Sequence, residues 1–111
     1  MSADNAKHQA TPVDVLIGGF SGSAAGYEEL RAEMQRTTGN MTSFIGMTRF
    51  GLMFFRNNRL YPRPLFRQAL HVARTLYAAF GGERQLRLYG HSMGGVVALI
   101  VAEVFDTKLN I

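Results

Sequence analysis

Ser92 sits in the run Gly90-His91-Ser92-Met93-Gly94-Gly95, directly after an apolar stretch that reads as a strand and directly before one that reads as a helix. That placement suits a nucleophile. A sharp strand-to-helix turn forces its central residue into strained backbone angles and lifts the side chain into the open. Side chains two positions to either side would collide there, so glycine is required at Gly90 and Gly94. The helix that follows aims its unpaired N–H groups at the same point, where they can stabilise an oxyanion. A serine also needs a base to take its proton. The histidines are His8, His71 and His91, and only Glu103 and Asp106 supply carboxylates after Ser92. His8 lies in a polar tail. His71 falls on the polar face of its helix. His91 adjoins Ser92 at a turn where neighbouring side chains point apart, which assigns it to shaping the elbow. Glu103 is about three helical turns away. A second glycine cluster, Gly18-Gly19 with Ser21-Gly22-Ser23, could cradle an anion at a helix N-terminus. The lysine and the glycine spacing of phosphate-binding loops are missing from it.

The elements that must position these residues alternate. Val13 to Ile17 reads as a strand ending at Gly18-Gly19. A helix follows over about 24–37, with Ser23 as its N-cap, Tyr27, Leu30 and Met34 as its apolar face, Glu28 and Glu29 early, Arg36 late and Gly39 as its stop. A second strand is expected over 41–47 and a loop over 48–63, with apolar Leu52, Met53, Phe54 and Phe55 inside it. Pro64 opens the next helix, whose inward stripe is Leu65, Ala69, Val72, Leu76 and Phe80, with Arg67, His71 and Arg74 opposite. A third strand is expected over 85–89, then a helix over 93–105 with Glu103 as its only charge, which should be buried all round. This order predicts an α/β fold: a three-layer parallel sheet of about three strands, right-handed crossovers and helices on both faces. Arg87 breaks the apolar run of a strand covered on both faces, so either one face is partly open there or Arg87 has an acidic partner, for which Asp14 is a candidate.

Composition bounds the rest. A chain of 111 residues, 47% apolar and 18% charged, is one small globular domain, with residues 1–12 as a disordered tail and 13–111 as the folded part. The net charge is +4, and ten of the twelve basic residues are arginines, densest at Arg49, Arg56, Arg59, Arg63 and Arg67. An anion-binding patch and a solvated face both fit that density, but no nucleic-acid motif accompanies it, so no nucleic-acid partner is expected. The absence of cysteine excludes disulfides and thiolate metal sites, and no metal or other cofactor is expected. The polar start lacks the apolar run of a signal peptide, and the longest apolar run, residues 93–102, is about half a membrane span. A cytoplasmic protein without a membrane span is the expectation.

The six-residue run resembles the nucleophile elbow of the α/β-hydrolases, serine esterases and lipases among them. Val15-Leu16-Ile17-Gly18-Gly19-Phe20 resembles the strand and loop that precede it in that family, with Gly18 where a histidine is usual. Thr48-Arg49-Phe50-Gly51 loosely resembles a loop after the next strand. The resemblance covers about residues 13–105. It implies an acyl ester as substrate, Ser92 as nucleophile, the N–H groups of Phe20 and Met93 as oxyanion donors, Gly18 and Gly19 as the substrate-side loop, and Gly90, His91, Gly94 and Gly95 as the elbow. It also implies that the strand from residue 13 lies between the other two. In that family the acid and then the histidine follow the serine on later strands. Here the sequence stops before them, so the core resembles the first half of the fold, truncated ahead of its acid and base. The open sheet edges that remain predict self-association or pairing with a second chain. The alternative to a hydrolase is a non-catalytic interaction module derived from one.

Overall fold

The computed structural model describes residues 11–19, 24–46 and 62–111. The expected tail up to residue 10 with His8, the oxyanion candidate Phe20, the residues 21–23, and the segment 48–55 lie outside the described residues. Six elements are described: β1 (Val13–Ile17), α1 (Ala24–Thr38), β2 (Thr42–Ile45), α2 (Pro62–Phe80), β3 (Leu86–Gly90) and α3 (Met93–Val104). The strands form one parallel sheet in the order β2-β1-β3, with Asp14 opposite Thr42 on one side and Arg87 on the other. β1 is central, and its sequence VDVLI is buried throughout. Each element lies within two residues of its expected bounds at each end. Pro62, not Pro64, opens α2, and Gly39 and Gly81 end the first two helices at positive φ (73° and 70°).

The chain leaves β1 towards β2 and then returns across β1 to β3. Right-handed connections in opposite directions place α1 on one face and α2 with α3 on the other. Side-chain alternation gives the same division. Val13, Val15, Ile17, Ile45 and Leu86 join Leu65, Ala69, Val72, Ala73 and Leu76 of α2 and Val97, Ala98 and Val101 of α3 in one core. The inward stripe of α2 is as expected, with Phe80 at its margin and Arg67, His71 and Arg74 exposed.

The α1 face is thinner. No residue of α1 is fully buried. Tyr27 stacks on Phe44 with ring centroids 5.0 Å apart, and Arg31 and Met34 are also half-buried. Leu30, expected on this face, is exposed. The helical period explains this: from Tyr27, Arg31 lies about 40° to one side, and Met34 about 20° and Leu30 about 60° to the other, so Leu30 is the farthest from the centre of the packed arc. The Arg31 guanidinium donates to the Thr42 carbonyl (3.0 Å) and to both oxygens of Glu28, while the Thr42 N–H donates to the Gln35 side chain (3.1 Å). Met41 and Ile45 turn their carbonyls to β1, so these Thr42 groups belong to the outer edge. The edge expected to be open at β2 is thus covered at Thr42 by α1. Glu28 and Glu29 do not serve the helix dipole, because the first turn of α1 holds no acid. The Arg31 hydrogen bond instead holds the Glu28 carboxyl below its ordinary value.

Three further expectations fail at the β3 side. First, α3 is not buried all round: Gly94, Val97, Ala98 and Val101 are buried, but Val96, Leu99 and Val104 are exposed, Leu99 by 68%. Among the described residues the sheet ends at β3, and none of them covers these side chains. Second, of the two alternatives for Arg87 only the acidic partner fails: Asp14 and Arg87 are cross-strand neighbours but form no ion pair, and the face at Arg87 is open. Arg87 is exposed, while Asp14 is fully buried with neither carboxylate oxygen hydrogen-bonded. Third, the outer edge of β3 is open only in part. The chain returns after α3, and the Leu86 N–H donates to the Asn110 carbonyl (2.7 Å) in a parallel bridge between Gln85 and Asn110.

Candidate active site

β1 and β3 are neighbours whose connections run in opposite directions. The loops after them therefore leave the sheet at a topological switch point at the carboxyl ends of the strands, the usual ligand position in open α/β sheets. The loop after β1 carries Gly18 and Gly19, and the loop after β3 carries His91 and Ser92. The two meet closely: the His91 N–H donates to the Ile17 carbonyl (3.0 Å), and a Cβ on Gly19 would lie 3.2 Å from Ser92 Cβ.

Ser92 has φ 59° and ψ −129°, and it is the one non-glycine at positive φ among the described residues. That conformation is costly for a residue with a Cβ and persists only where its surroundings enforce it. Here they do. A Cβ on Gly90 would strike the Gly95 backbone, so β3 and the first turn of α3 pass at a distance only glycine permits. A Cβ on Gly94 would strike the Ile17 carbonyl and lie 2.7 Å from that of Gly18, so α3 presses its first turn onto the end of β1. Gly95 differs: a Cβ there meets nothing closer than 3.7 Å. Its backbone, not its missing side chain, serves the turn.

The turn is closed by Gly94 N–H to His91 O and Gly95 N–H to Ser92 O, both 3.0 Å. The Met93 N–H, at the start of α3, has no backbone acceptor among the described residues and is free to meet an oxyanion. The Ser92 side chain is exposed and caps no helix N–H. Ser92 therefore stands exposed at the carboxyl ends of β1 and β3, in a turn closed by backbone hydrogen bonds.

No histidine or carboxylate among the described residues hydrogen-bonds to Ser92. His71 is exposed on α2, and Glu103 lies on α3 some 16 Å along the helix axis at about 1.5 Å per residue. His91 Nδ1 lies 2.7 Å from the Tyr27 hydroxyl, which also accepts the Gly19 N–H at 2.9 Å. The sequence places Tyr27 in the apolar stripe of its helix and gives it no role at the site. The available signal is that a tyrosine packed against a sheet has a hydroxyl that needs a partner. No group of three or more acidic or histidine side chains suited to a metal occurs among the described residues. None of the described helices is long and apolar enough to cross a membrane. A groove of about 380 Å³, lined by Leu70, Ala73, Tyr77, Phe105 and Leu109, lies at the far end of α3 and takes no part in the chemistry at Ser92.

Comparison with known protein families, with characterised proteins and with solved structures finds no match to this chain. The class defined by fold and site is a parallel α/β sheet with an exposed, strained serine at its strand-to-helix switch point.

Proposed function

We propose that the chain is a serine hydrolase-like protein in which Ser92 is the nucleophile towards an acyl ester. The observation that carries this reading is the Ser92 backbone, held at φ 59° by glycines that nothing larger could replace, at the N-terminus of α3. Ser92 Oγ would attack the acyl carbonyl as its proton passes to a base, forming a tetrahedral oxyanion that the Met93 N–H faces. Collapse would expel the alcohol, which takes up a proton, and leave the acyl group on Ser92 for water to remove. By resemblance to the α/β-hydrolases, Phe20 supplies the second oxyanion donor. The base and its acid are not among the described residues, so they come from outside them. An enzyme stripped of a triad member retains roughly 10³–10⁴-fold catalysis over water from its oxyanion hole and binding, and activity at that level is expected of this chain by itself.

One set of observations favours the second reading, an interaction module without catalysis: the exposed apolar Val96, Leu99 and Val104 of α3, and a β3 edge that the described residues cover only in part. Hydrolysis of a short-chain p-nitrophenyl ester by the chain and by Ser92→Ala, together with the size of each in solution, separates the two. Slow turnover abolished by the substitution supports the nucleophile. A stable complex and a silent substitution support the module.

A further inference from the structure

The Tyr27 hydroxyl touches both loops at the switch point. It accepts the Gly19 N–H (2.9 Å) from the loop after β1 and lies 2.7 Å from His91 Nδ1 in the loop after β3. A tyrosine hydroxyl has one hydrogen to give. With its lone pair facing Gly19, that hydrogen finds an acceptor in His91 Nδ1, giving the chain Gly19 N–H to Tyr27 O–H to His91 Nδ1. The reverse polarity, with Nδ1 as donor, leaves the tyrosine hydrogen without an acceptor among the described residues. In the connected arrangement each hydrogen bond feeds the next, and linked hydrogen bonds strengthen one another. It requires neutral His91 to carry its proton on Nε2.

The ring that delivers this hydroxyl is itself fixed. Tyr27 stacks on Phe44 of β2 and meets the His91 ring edge-on with centroids 5.5 Å apart. The position of Gly19 matters to Ser92, because a Cβ on Gly19 would lie 3.2 Å from Ser92 Cβ and 3.5 Å from the Tyr27 hydroxyl. We propose that Tyr27 is the positioning residue of this site. Its hydroxyl ties the loop after β1 to the elbow, sets the spacing between Gly19 and Ser92 before any substrate arrives, and holds His91 as the Nε2–H tautomer. Two consequences follow. The Gly19 N–H is occupied and is not an oxyanion donor. His91 has no free basic nitrogen in this arrangement, so it presents a donor at the carboxyl ends of the strands and is not the base for Ser92.

The role in positioning rests on reading Ser92 as a nucleophile, whereas the hydrogen-bond chain does not, and the test keeps the two apart. Nitrogen-15 spectra of the full chain, with His91 assigned through His91→Gln, report its tautomer. Amide exchange reports Gly19. The unaltered chain should show His91 as the Nε2–H form alone and a protected Gly19 amide. Tyr27→Phe keeps the stacked ring and removes only the hydroxyl. It should release His91 to the mixed tautomers of a free imidazole, speed Gly19 exchange about tenfold, and slow phosphonylation of Ser92 by a fluorophosphonate about tenfold, the scale of one lost hydrogen bond. A mixed or Nδ1–H tautomer in the unaltered chain overturns the proposal, even if the variant fails to fold. So does a folded Tyr27→Phe chain with unchanged His91 and Gly19 signals. A chain inert to the fluorophosphonate but with the expected spectra contradicts the nucleophile and not the hydrogen-bond chain.

Discussion

Ser92 adopts its conformation because its neighbours cannot have side chains, and the glycines around it are unequal in a way that can be measured. Gly94→Ala would drive a methyl into the Ile17 carbonyl, where only backbone movement could relieve it. A loss of about 3 kcal/mol or more is expected, enough to unfold a small domain. Gly95→Ala finds open space and gains helix propensity of up to about 1 kcal/mol, so its stability should equal or exceed that of the parent. Urea denaturation of both variants checks the pair, and equal effects would mean that the first turn of α3 does not pack as described. The motif shows where glycines are needed but not which contact each one serves, because the contact at Gly94 comes from the end of β1, more than 70 residues earlier.

The strands and helices were legible in the sequence because their signals are local: apolar runs between glycines, a clear 3.6-residue stripe in α2, and proline or glycine at helix ends. What the sequence left hidden depends on neighbours. Leu30 fits an apolar period but lies outside the arc that α1 presents, and Arg31 takes a place within that arc because its guanidinium can serve Thr42. Tyr27 was legible as a packed ring and not as a hydrogen-bonding group, since His91 is 64 residues away and Gly19, eight residues back, lies in the loop after β1. Asp14 alternates with valines in a central strand, and pairing it with Arg87 is natural from sequence. The structure leaves its carboxylate buried and without a hydrogen bond. Such a group costs about 1–3 kcal/mol. Asp14→Val, which suits a parallel strand covered on both faces, should therefore raise stability by about that amount, read as a higher urea midpoint with an unchanged slope. A decrease would reveal a partner for Asp14 outside the described residues.

At the scale of the whole molecule, the two sheet edges differ. α1 covers β2 at Thr42 through Arg31 and Gln35, whereas among the described residues β3 is bridged only at its start by Asn110, and α3, which follows it, exposes Val96, Leu99 and Val104. An apolar helix flank and an unpaired edge are surfaces for association. Leu99→Lys places a charge at the most exposed of these positions and should weaken self-association tenfold or more, since a buried leucine contributes about 1.5–3 kcal/mol. Sedimentation velocity over a range of concentrations checks this, and an unchanged distribution would place the contact elsewhere.

The nucleophile is tested most directly by mapping fluorophosphonate adducts on the folded chain across a range of pH. Ser92 should take up the reagent and the other serines should not, and Ser92→Ala should abolish the adduct. With no base among the described residues, the rate should climb with pH by about tenfold per unit, as expected when free alkoxide is the attacking form, without the plateau that a histidine base would impose near its pKa of about 6.5. A folded chain with no adduct at Ser92 at any pH would contradict the assignment of Ser92 as a nucleophile.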